Sequence, residues 1–337
     1  MSQDPTVSQD SMSMPLRRVG RSGLTVSAVG LGCNVLGRAG SASESQQGSD
    51  QLIGAALDAG ITLFDCADIY GASRGLSEER LGKALGKRRD EAVVATKFGM
   101  DMQGANGPDF GARGSRRYIR AAVEGSLRRL GTDHIDLYYL HTPDPATPID
   151  ETLAAMDELV ASGKVGYLGH SNLSGWQIAQ AEYVARELGA ERIVASQNHY
   201  NLLDRRAELE VLPAAAEFGL GVLPYFPLAN GLLTGKYASG KAPEGTRLST
   251  TRQHLLDEAT SPRMRAYGEF AAARGIDGVT VAIGWLLAQH PVASVIAGAT
   301  RPEQAVANAA AAQWTPSAED LAELDELFPA PERVALF

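Results

Sequence analysis

Cysteine, basic residues and long apolar runs are all scarce in this sequence of 337 residues. Its two cysteines, Cys33 and Cys66, are too few for a disulfide framework, and their scarcity indicates a reducing compartment. No apolar run approaches the roughly 20 residues that a membrane-spanning helix requires. Lysine and arginine number 31 against 40 acidic residues, so the net charge of −9 gives no support to nucleic-acid or anionic-membrane binding.

Signals for targeting and for metal binding are also missing. The N-terminus has no basic region followed by an apolar core, so we predict no signal peptide and a cytoplasmic location. Residues 1–14 are rich in Ser, Gln and Asp and hold almost nothing to bury, which predicts a flexible tail. The six histidines show no metal-ligand spacing, and we predict no metal site.

From residue 15 onward, short apolar runs alternate with helical patterns, and the runs begin about every 30 residues, the size of a βαβ unit. Eight such units predict a single (β/α)8 TIM barrel over 15–337, with a β-hairpin turning at 20–23 in front of it. Long loops are expected after the third and seventh barrel strands, at 98–114 and 226–259. The alternative, an open doubly wound sheet, prefers a G-x-G-x-x-G turn that this sequence does not make. The predicted barrel strands are 29–33, 61–64, 92–96, 135–140, 165–169, 193–197, 220–223 and 292–297.

Polar side chains stand where three successive predicted strands end. Asp65 follows the second strand, Lys97 the third and His141 the fourth, while Tyr70 lies in the loop after Asp65. Barrel enzymes place their active site at the carboxyl ends of the strands, and neighbouring strands lie about 4.8 Å apart. We therefore expect these four side chains to meet at one end of the barrel.

The four residue types together indicate an acid catalyst. A buried Asp65 needs a cation beside it, and Lys97 supplies one. An ammonium group beside Tyr70 is expected to lower the pKa of that phenol from about 10, while His141 orients a carbonyl oxygen. Such a site suits an oxygen that gains negative charge, as when a carbonyl accepts a hydride.

Each of these residues also has a structural interpretation. Asp65 and Lys97 alone are equally compatible with a structural ion pair, His141 with a hydrogen-bonded strand end and Tyr70 with packing. Asp68 has no partner that the sequence identifies, and we predict a structural role for it. The thiol of Cys66 is predicted to be buried and inert.

Three stretches resemble the signatures of the aldo-keto reductase superfamily in order and spacing: F-D-C-A-D-I-Y-G, A-T-K-F-G and L-H-T-P-D. The similarity extends from about residue 16 to 314 and is greatest to the bacterial and potassium-channel-β-subunit-like branches. It implies reduction of an aldehyde or ketone to an alcohol, with NADPH bound across the barrel mouth. Tyr70 would be the general acid, tuned by Lys97 and Asp65, and His141 would orient the substrate.

The same resemblance implies the residues that hold NADPH/NADP+. Ser171, Asn172 and Gln197 match the partners of the nicotinamide carboxamide, and Tyr225 matches the aromatic residue that stacks on its ring, with a core tyrosine as the alternative. Phe226, Pro227, Leu228, Gly231 and Lys236 match the pyrophosphate loop. Gly298, Thr300, Arg301, Gln304 and Asn308 match the segment around the adenosine 2′-phosphate, ribose and adenine, and Arg301 favours NADPH over NADH.

Two departures from the family pattern concern the cofactor. Phe226 replaces a frequent serine, which removes a hydroxyl group from the pyrophosphate loop, and Ala307 replaces a common glutamate near the adenine. Two other functions remain open: an NADPH-binding redox sensor or regulatory protein with little turnover, and a sugar or alcohol dehydrogenase working in the oxidative direction. The substrate and the oligomeric state are not predicted, because they depend on loops and surfaces without a readable pattern.

Overall fold

A short hairpin precedes a barrel of eight parallel strands, which confirms the predicted (β/α)8 fold. The computed structural model describes residues 13–242 and 253–332, so residues 1–12 of the predicted tail lie outside the described residues. The hairpin strands are β1 (Leu16–Arg18) and β2 (Thr25–Ser27). The barrel strands are β3 (Val29–Gly32), β4 (Leu63–Asp65), β5 (Val93–Phe98), β6 (Ile135–Leu140), β7 (Val165–Ser171), β8 (Ile193–Gln197), β9 (Gly221–Val222) and β10 (Val295–Gly298).

The strands lie side by side in chain order, and β10 returns to pair with β3. The barrel closes through two isolated parallel bridges, Val222 with Val292 and Tyr225 with Ile296. The backbone N–H of Ile296 donates to the carbonyl of Pro224 at 3.0 Å, which continues the ladder where β9 has ended. The strand ends therefore form a continuous ring, and residues that follow different strands face one common opening.

The hairpin covers the amino end of the barrel. Val19, Leu24 and Val26 are buried and join the interior cluster that also contains Leu63 of β4 and Leu137 of β6. The turn approaches the chain after the sixth helix so closely that a Cβ on Gly20 would stand 2.4 Å from the carbonyl oxygen of residue 219. Gly20 also has a φ of +55°, so a larger residue would be strained there as well as obstructed.

Helices surround the barrel, as the alternating pattern predicts. The third helix illustrates why they form: the Ser115 side chain accepts from the backbone N–H of Tyr118 at its start, Ile119 and Val123 lie on its buried face, and Gly131 ends it in a left-handed conformation. The helices are α1 (Gln46–Asp58), α2 (Leu76–Leu85), α3 (Arg116–Leu130), α4 (Ile149–Ala161), α5 (Gly175–Leu188), α6 (Val211–Phe218), α7 (Leu256–Ala259), α8 (Pro262–Ala273), α9 (Gly278–Ala288), α10 (Pro302–Ala311) and α11 (Ala318–Leu327).

Within the described ranges, no single helix is long and apolar enough to cross a membrane; α8 and α9 together meet the length and composition required, but they are bent by 91°. The two long loops follow β5 and β9, as predicted. The second contains a 3-10 segment at Ala229–Thr234 and another at Gln253–Leu255, and residues 243–252 of it lie outside the described residues.

Candidate active site

The four residues predicted from the strand ends lie together at the carboxyl end of the barrel. Asp65 is the last residue of β4, Lys97 lies near the end of β5 and His141 follows β6 directly. The Lys97 Nζ atom is 2.7 Å from Asp65 Oδ2 and 5.1 Å from the centre of the Tyr70 ring. The rings of Tyr70 and His141 meet edge to face, with centres 5.9 Å apart.

Asp65 and Lys97 form a buried ion pair, and each of them has a further hydrogen-bond partner. Lys97 is 0% exposed, and its ammonium also donates to the backbone carbonyl of Cys66 at 2.7 Å. The other oxygen of Asp65 accepts from Gln197 Nε2 at 2.8 Å. Burial lowers the pKa of Lys97, but the charge and hydrogen bond of Asp65, together with Tyr70 and Cys66, outweigh it, so the pKa is raised overall and the amine stays charged.

Tyr70 keeps its proton in this environment. Burial raises the pKa of Tyr70 to about 12. The positive charge of Lys97 acts in the opposite direction, as predicted, but it does not outweigh burial, so the expected net decrease is wrong for this structure. The phenol is therefore a hydrogen-bond and proton donor at neutral pH, and its conjugate base would form beside an ammonium group.

His141 is neutral at physiological pH. Burial, and after it the charge of Lys97, lowers the pKa of His141 to about 3. Its backbone N–H donates to the carbonyl of Phe98 at 2.8 Å, which fixes the residue to the end of β5. Its Nδ1 atom is buried and has no hydrogen-bond partner in the described part of the chain. A phenol, a neutral imidazole and an ammonium group thus converge where an oxygen that gains charge would be stabilised.

Asn172 connects the predicted nicotinamide residues to these four. Its backbone is left-handed, with a φ of +62°, and its Nδ2 donates to the carbonyl of His141 at 2.9 Å. Its Oδ1 accepts from the hydroxyl of Tyr225 at 2.8 Å. Ser171 Oγ donates to the carbonyl of Gln197 at 2.8 Å. One hydrogen-bond network therefore joins the four predicted nicotinamide residues, Ser171, Asn172, Gln197 and Tyr225. Within it, Gln197 donates its side-chain amide N–H to Asp65.

The Tyr225 ring belongs to an aromatic group that the sequence did not predict. It stacks on His199 with ring centres 5.5 Å apart and planes within 9°, and it meets Phe226 edge to face at 5.2 Å. His199 Nδ1 is 3.2 Å from Asp204 Oδ2. Tyr225 remains half-buried, so part of it faces the barrel opening. The His199 contact had no signal in the sequence, because it joins a strand end to a loop.

The segment after Tyr225 has an unusual backbone. Phe226, Ala229 and Asn230 have φ values of +55°, +46° and +60°, and Gly231 has +92°. Each left-handed conformation of a residue other than glycine costs roughly 1 to 2 kcal/mol, so this shape is imposed by its surroundings. Pro227 and Leu228 lie inside the segment. Turns of this kind direct backbone N–H groups into a concave surface that suits an anion.

Lys236 lies against the same segment. A Cβ atom on Gly231 would stand 2.9 Å from Lys236 Nζ, so the ammonium group occupies space that only glycine leaves open. The carbonyl of Phe226 accepts from Asn201 Nδ2 at 2.9 Å, which fastens the segment to the chain after β8. The backbone N–H groups of residues 229, 231 and 233 already donate to carbonyls of this segment, so the Lys236 ammonium is the donor that fits a pyrophosphate here.

The last predicted cofactor segment lies between β10 and α10. Thr300 donates to Gln304 Oε1 through both its backbone N–H, at 2.8 Å, and its hydroxyl, at 3.0 Å, so Gln304 holds the start of the helix. Asn308 Nδ2 donates to the carbonyl of Gly298 at 3.4 Å. Arg301 is exposed and forms no ion pair with any described residue. Its free guanidinium at a helix N-terminus fits a phosphate group.

A groove of about 790 Å³ lies elsewhere, at the amino end of the barrel beside the hairpin, and is lined by Arg21, Tyr167 and Phe218 among others. It contains none of the predicted site residues, and its position is opposite the end at which barrel enzymes work. The described part of the chain holds no group of three or more His, Cys, Asp or Glu side chains that could bind a metal.

The chain is a (β/α)8 barrel with an Asp–Lys–Tyr–His cluster at its carboxyl end. It belongs to the aldo/keto reductase family, whose model matches residues 28–328. An uncharacterized oxidoreductase, YrpG, of Bacillus subtilis (strain 168) is 38% identical over 319 residues, covering 93% of this chain and 95% of the relative.

Two further relatives have more specific names. A probable voltage-gated potassium channel subunit beta of Oryza sativa subsp. japonica is 37% identical over 306 residues, covering 88% of this chain and 90% of the relative. The L-glyceraldehyde 3-phosphate reductase of Escherichia coli (strain K12) is 36% identical over 326 residues, with coverage of 93% and 92%.

Proposed function

We propose that this protein reduces the carbonyl group of an aldehyde or ketone to an alcohol with NADPH, and that Tyr70 is the general acid. The observation that carries the proposal is the buried Lys97–Asp65 ion pair beside a protonated Tyr70, at the end of the barrel where a substrate can enter. The proposal includes a cytoplasmic location, in keeping with the scarcity of cysteine.

The roles of the four side chains follow from their contacts. NADPH, when bound, supplies the hydride that goes to the carbonyl carbon. Tyr70 donates its proton to the carbonyl oxygen as that oxygen gains negative charge, and the ammonium of Lys97 stabilises the phenolate that remains. Asp65 keeps Lys97 charged and in place. The neutral imidazole of His141 forms a hydrogen bond with the carbonyl oxygen and so orients it.

The remaining site residues would hold the cofactor. Ser171, Asn172 and Gln197 lie beside the catalytic cluster and are proposed to bind the nicotinamide carboxamide, with Tyr225 stacked on the ring. The strained segment with Gly231 and Lys236 is proposed to bind the pyrophosphate. Because Arg301 has no carboxylate partner within residues 13–242 and 253–332, it supports the choice of NADPH over NADH through a charge-assisted bond to the 2′-phosphate. Gly298, Thr300, Gln304 and Asn308 complete this segment.

Steady-state consumption of NADPH in the presence of a panel of small aldehydes and ketones tests the proposal. The panel should include a phosphorylated aldehyde, because one relative is named as a reductase of L-glyceraldehyde 3-phosphate. We expect turnover with at least one carbonyl compound and at least about tenfold weaker activity with NADH, the discrimination expected of one charge-assisted contact. Equal activity with both cofactors would contradict the role of Arg301.

A second candidate is supported by the relative named as a potassium channel subunit beta. In that case the chain would bind NADPH and act mainly as a regulatory or redox-sensing protein. Tight NADPH binding without consumption on any carbonyl compound in the panel would favour this alternative and would contradict the reductase.

A further inference from the structure

A second buried polar cluster lies behind Tyr70, outside the site described above. Both of its carboxylates, Asp68 and Glu78, are 0% exposed. Glu78 is fully satisfied, because Arg129 Nε donates to Oε2 at 2.6 Å and Thr96 Oγ1 donates to Oε1 at 2.6 Å. The cluster, which we call the Asp68 cluster, consists of Asp68 before Tyr70, Glu78 on α2, Thr96 on β5, Asn106 in the loop after β5 and Arg129 on α3.

In contrast to Glu78, Asp68 has a hydrogen-bond partner on only one of its two carboxylate oxygens among the described residues. Arg129 Nη1 donates to Asn106 Oδ1 at 3.1 Å, and because a guanidinium has no acceptor, this contact fixes the orientation of the Asn106 amide. The amide nitrogen of Asn106 then donates to Asp68 Oδ2 at 3.0 Å. The second oxygen, Asp68 Oδ1, is buried and has no hydrogen-bond partner among the described residues. The sequence had suggested no partner for Asp68, because Asn106 lies in a loop without a readable pattern.

The buried charges on this side of the barrel do not balance if every carboxylate is ionised. Asp65 has Lys97 at 2.7 Å, and Glu78 has Arg129 at 2.6 Å, so each of these acids has its own cation. Asp68 has none. A carboxylate that is buried without a cation is costly, and the usual response is to take up a proton.

The surroundings of Asp68 act in the same direction. Burial, and after it the charge of Glu78, raises the pKa of Asp68 to about 8, although the charge of Arg129 and the hydrogen bonds from Asn106 and the backbone of Ile69 act in the opposite direction. The titratable and charged groups that face Asp68 are Glu78 from α2, Arg129 and Tyr118 from α3, and Tyr138 from β6.

The Asp68 cluster supports the loop that carries Tyr70. The backbone N–H of Asp68 donates to the carbonyl of Lys97 at 3.2 Å, and the carbonyl of Tyr70 accepts from the N–H of Ser77 at 3.2 Å. Asn106 belongs to the long loop 98–114, so its hydrogen bond to Asp68 joins that loop to the Tyr70 loop. Movement of Asp68 would therefore displace the general acid relative to Lys97.

We propose that Asp68 is a positioning residue for Tyr70 that works in its protonated form, and that its ionisation releases the contact with Asn106. The protonated acid presents a carbonyl oxygen to Asn106 and carries no net charge. Once ionised, it exposes an unpaired charge on Oδ1 to a buried surrounding, and the side chain is drawn towards water. The protonation of Asp68 stands independently of the proposed function; the effect on turnover rests on it.

The sign of the pH dependence follows from linkage. An acid whose pKa is raised on folding adds stability that is fully present below its ordinary value near 4 and is lost as the pH rises through the folded value near 8. The wild-type protein should therefore lose stability between these pH values. Asp68→Asn, which imitates the protonated acid, should lack this part of the loss.

The first experiment compares melting temperatures from pH 6 to pH 8.5 for the full chain and three variants. Relative to Asp68→Asn, the wild type should lose at least about 3 °C over this range. Asp90→Asn, a change at an exposed side chain that forms no ion pair with any described residue, should follow the wild-type curve. Glu78→Gln is the same chemical change within the cluster, but it should lower the melting temperature at every pH, because Arg129 loses its carboxylate. Parallel curves for the wild type and Asp68→Asn would overturn the proposal.

The second experiment measures kcat against pH with saturating NADPH and a good aldehyde. The ratio of kcat for Asp68→Asn to kcat for the wild type should rise up to about tenfold between pH 7 and pH 9, because the wild type loses the proton in this range and the variant cannot. A purely structural Asp68 would give a constant ratio, and a constant ratio would overturn the positioning role.

The proposal can still be tested if the protein reduces no carbonyl compound or if Asp68→Asn does not fold. If no carbonyl compound is reduced, the proposed function fails, but the melting curves still decide whether Asp68 is protonated. If Asp68→Asn does not fold, infrared spectra of the wild type replace it, since a buried protonated carboxyl has its own carbonyl stretch. That band should be present at pH 6.5 and lost above pH 9, and its absence at pH 6.5 would overturn the proposal.

Discussion

Asp65 and Asp68 are near neighbours in the sequence and both are buried, yet the hydrogen-bond donors around their carboxylates differ. Asp65 receives a donor on each oxygen, from the Lys97 ammonium and the Gln197 amide. Asp68 receives hydrogen bonds only from neutral amides, the Asn106 side chain and the backbone of Ile69, and its Oδ1 atom has no partner in the described part of the chain. Burial alone therefore does not decide whether a carboxylate is charged; the number and the charge of its donors do.

The difference arises from the elements that supply the donors. Lys97 and Gln197 belong to β5 and β8, so the barrel itself fixes their positions around Asp65. Asn106 belongs to a long loop that must dock before it can contact Asp68. The two carboxylates thus place Tyr70, the proposed general acid, between a rigid support and one that we propose to depend on docking and on pH.

The largest effect is expected from removing Lys97, the cation that the barrel holds beside Asp65. Lys97→Met leaves Asp65 as a buried charge without a cation, which should lower the free energy of unfolding by about 3 to 5 kcal/mol. Turnover should fall at least about 100-fold, because the phenolate of Tyr70 loses its counter-charge. Denaturant unfolding and NADPH consumption measure the two effects.

The matched control is Lys87→Met, which removes an exposed lysine and should change neither quantity measurably. Wild-type stability of the Lys97→Met protein would show that Asp65 is not charged at this position and would remove the contrast with Asp68.

Smaller effects are expected from removing the two side-chain amides that donate to these carboxylates, Gln197 for Asp65 and Asn106 for Asp68. Gln197→Ala removes a hydrogen bond to an ionised carboxylate and should cost about 1.5 to 3 kcal/mol of unfolding free energy. Asn106→Ala removes the hydrogen bond to Asp68 and also the acceptor of Arg129 Nη1, so the same change is made in an Asp68→Ala background, in which only the Arg129 contact is lost. The difference between the two losses at pH 6, measured by denaturant unfolding, should be about 0.5 to 1.5 kcal/mol. A difference greater than the loss in Gln197→Ala would indicate that Asp68 is ionised.

The barrel and the four-residue cluster were accessible from the sequence because both depend on regular spacing. Strands that recur every βαβ unit place Asp65, Lys97 and His141 at strand ends, and the ends of parallel strands meet at one edge. Two of the eight predicted strands, 135–140 and 193–197, match in both bounds, and the other six differ by at most three residues at either end. The shortest, β9 at Gly221–Val222, is reduced because the chain after it closes the barrel through single bridges rather than a ladder.

Contacts that involve loops could not be predicted from the sequence. The hydrogen bond from Asn106 to Asp68, the bond from Asn172 to the carbonyl of His141 and the stack of His199 on Tyr225 all join residues whose separation in sequence carries no period. The pKa of Tyr70 was misjudged for a related reason: the sequence identifies the cation beside the phenol, but it does not give the extent of burial that outweighs it.

A single-turnover measurement on Tyr70→Phe tests the central claim most directly. Tyr139→Phe is the matched control, because the Tyr139 ring also lies near Lys97, with its centre 5.8 Å from Nζ, but its hydroxyl has no role in the proposed proton transfer. NADPH is bound in advance, the aldehyde is added by rapid mixing, and loss of NADPH absorbance is followed. Tyr70→Phe should bind NADPH with wild-type affinity and slow this step at least about 100-fold, while Tyr139→Phe should react at the wild-type rate. A wild-type rate in Tyr70→Phe would contradict the assignment of Tyr70 as the general acid.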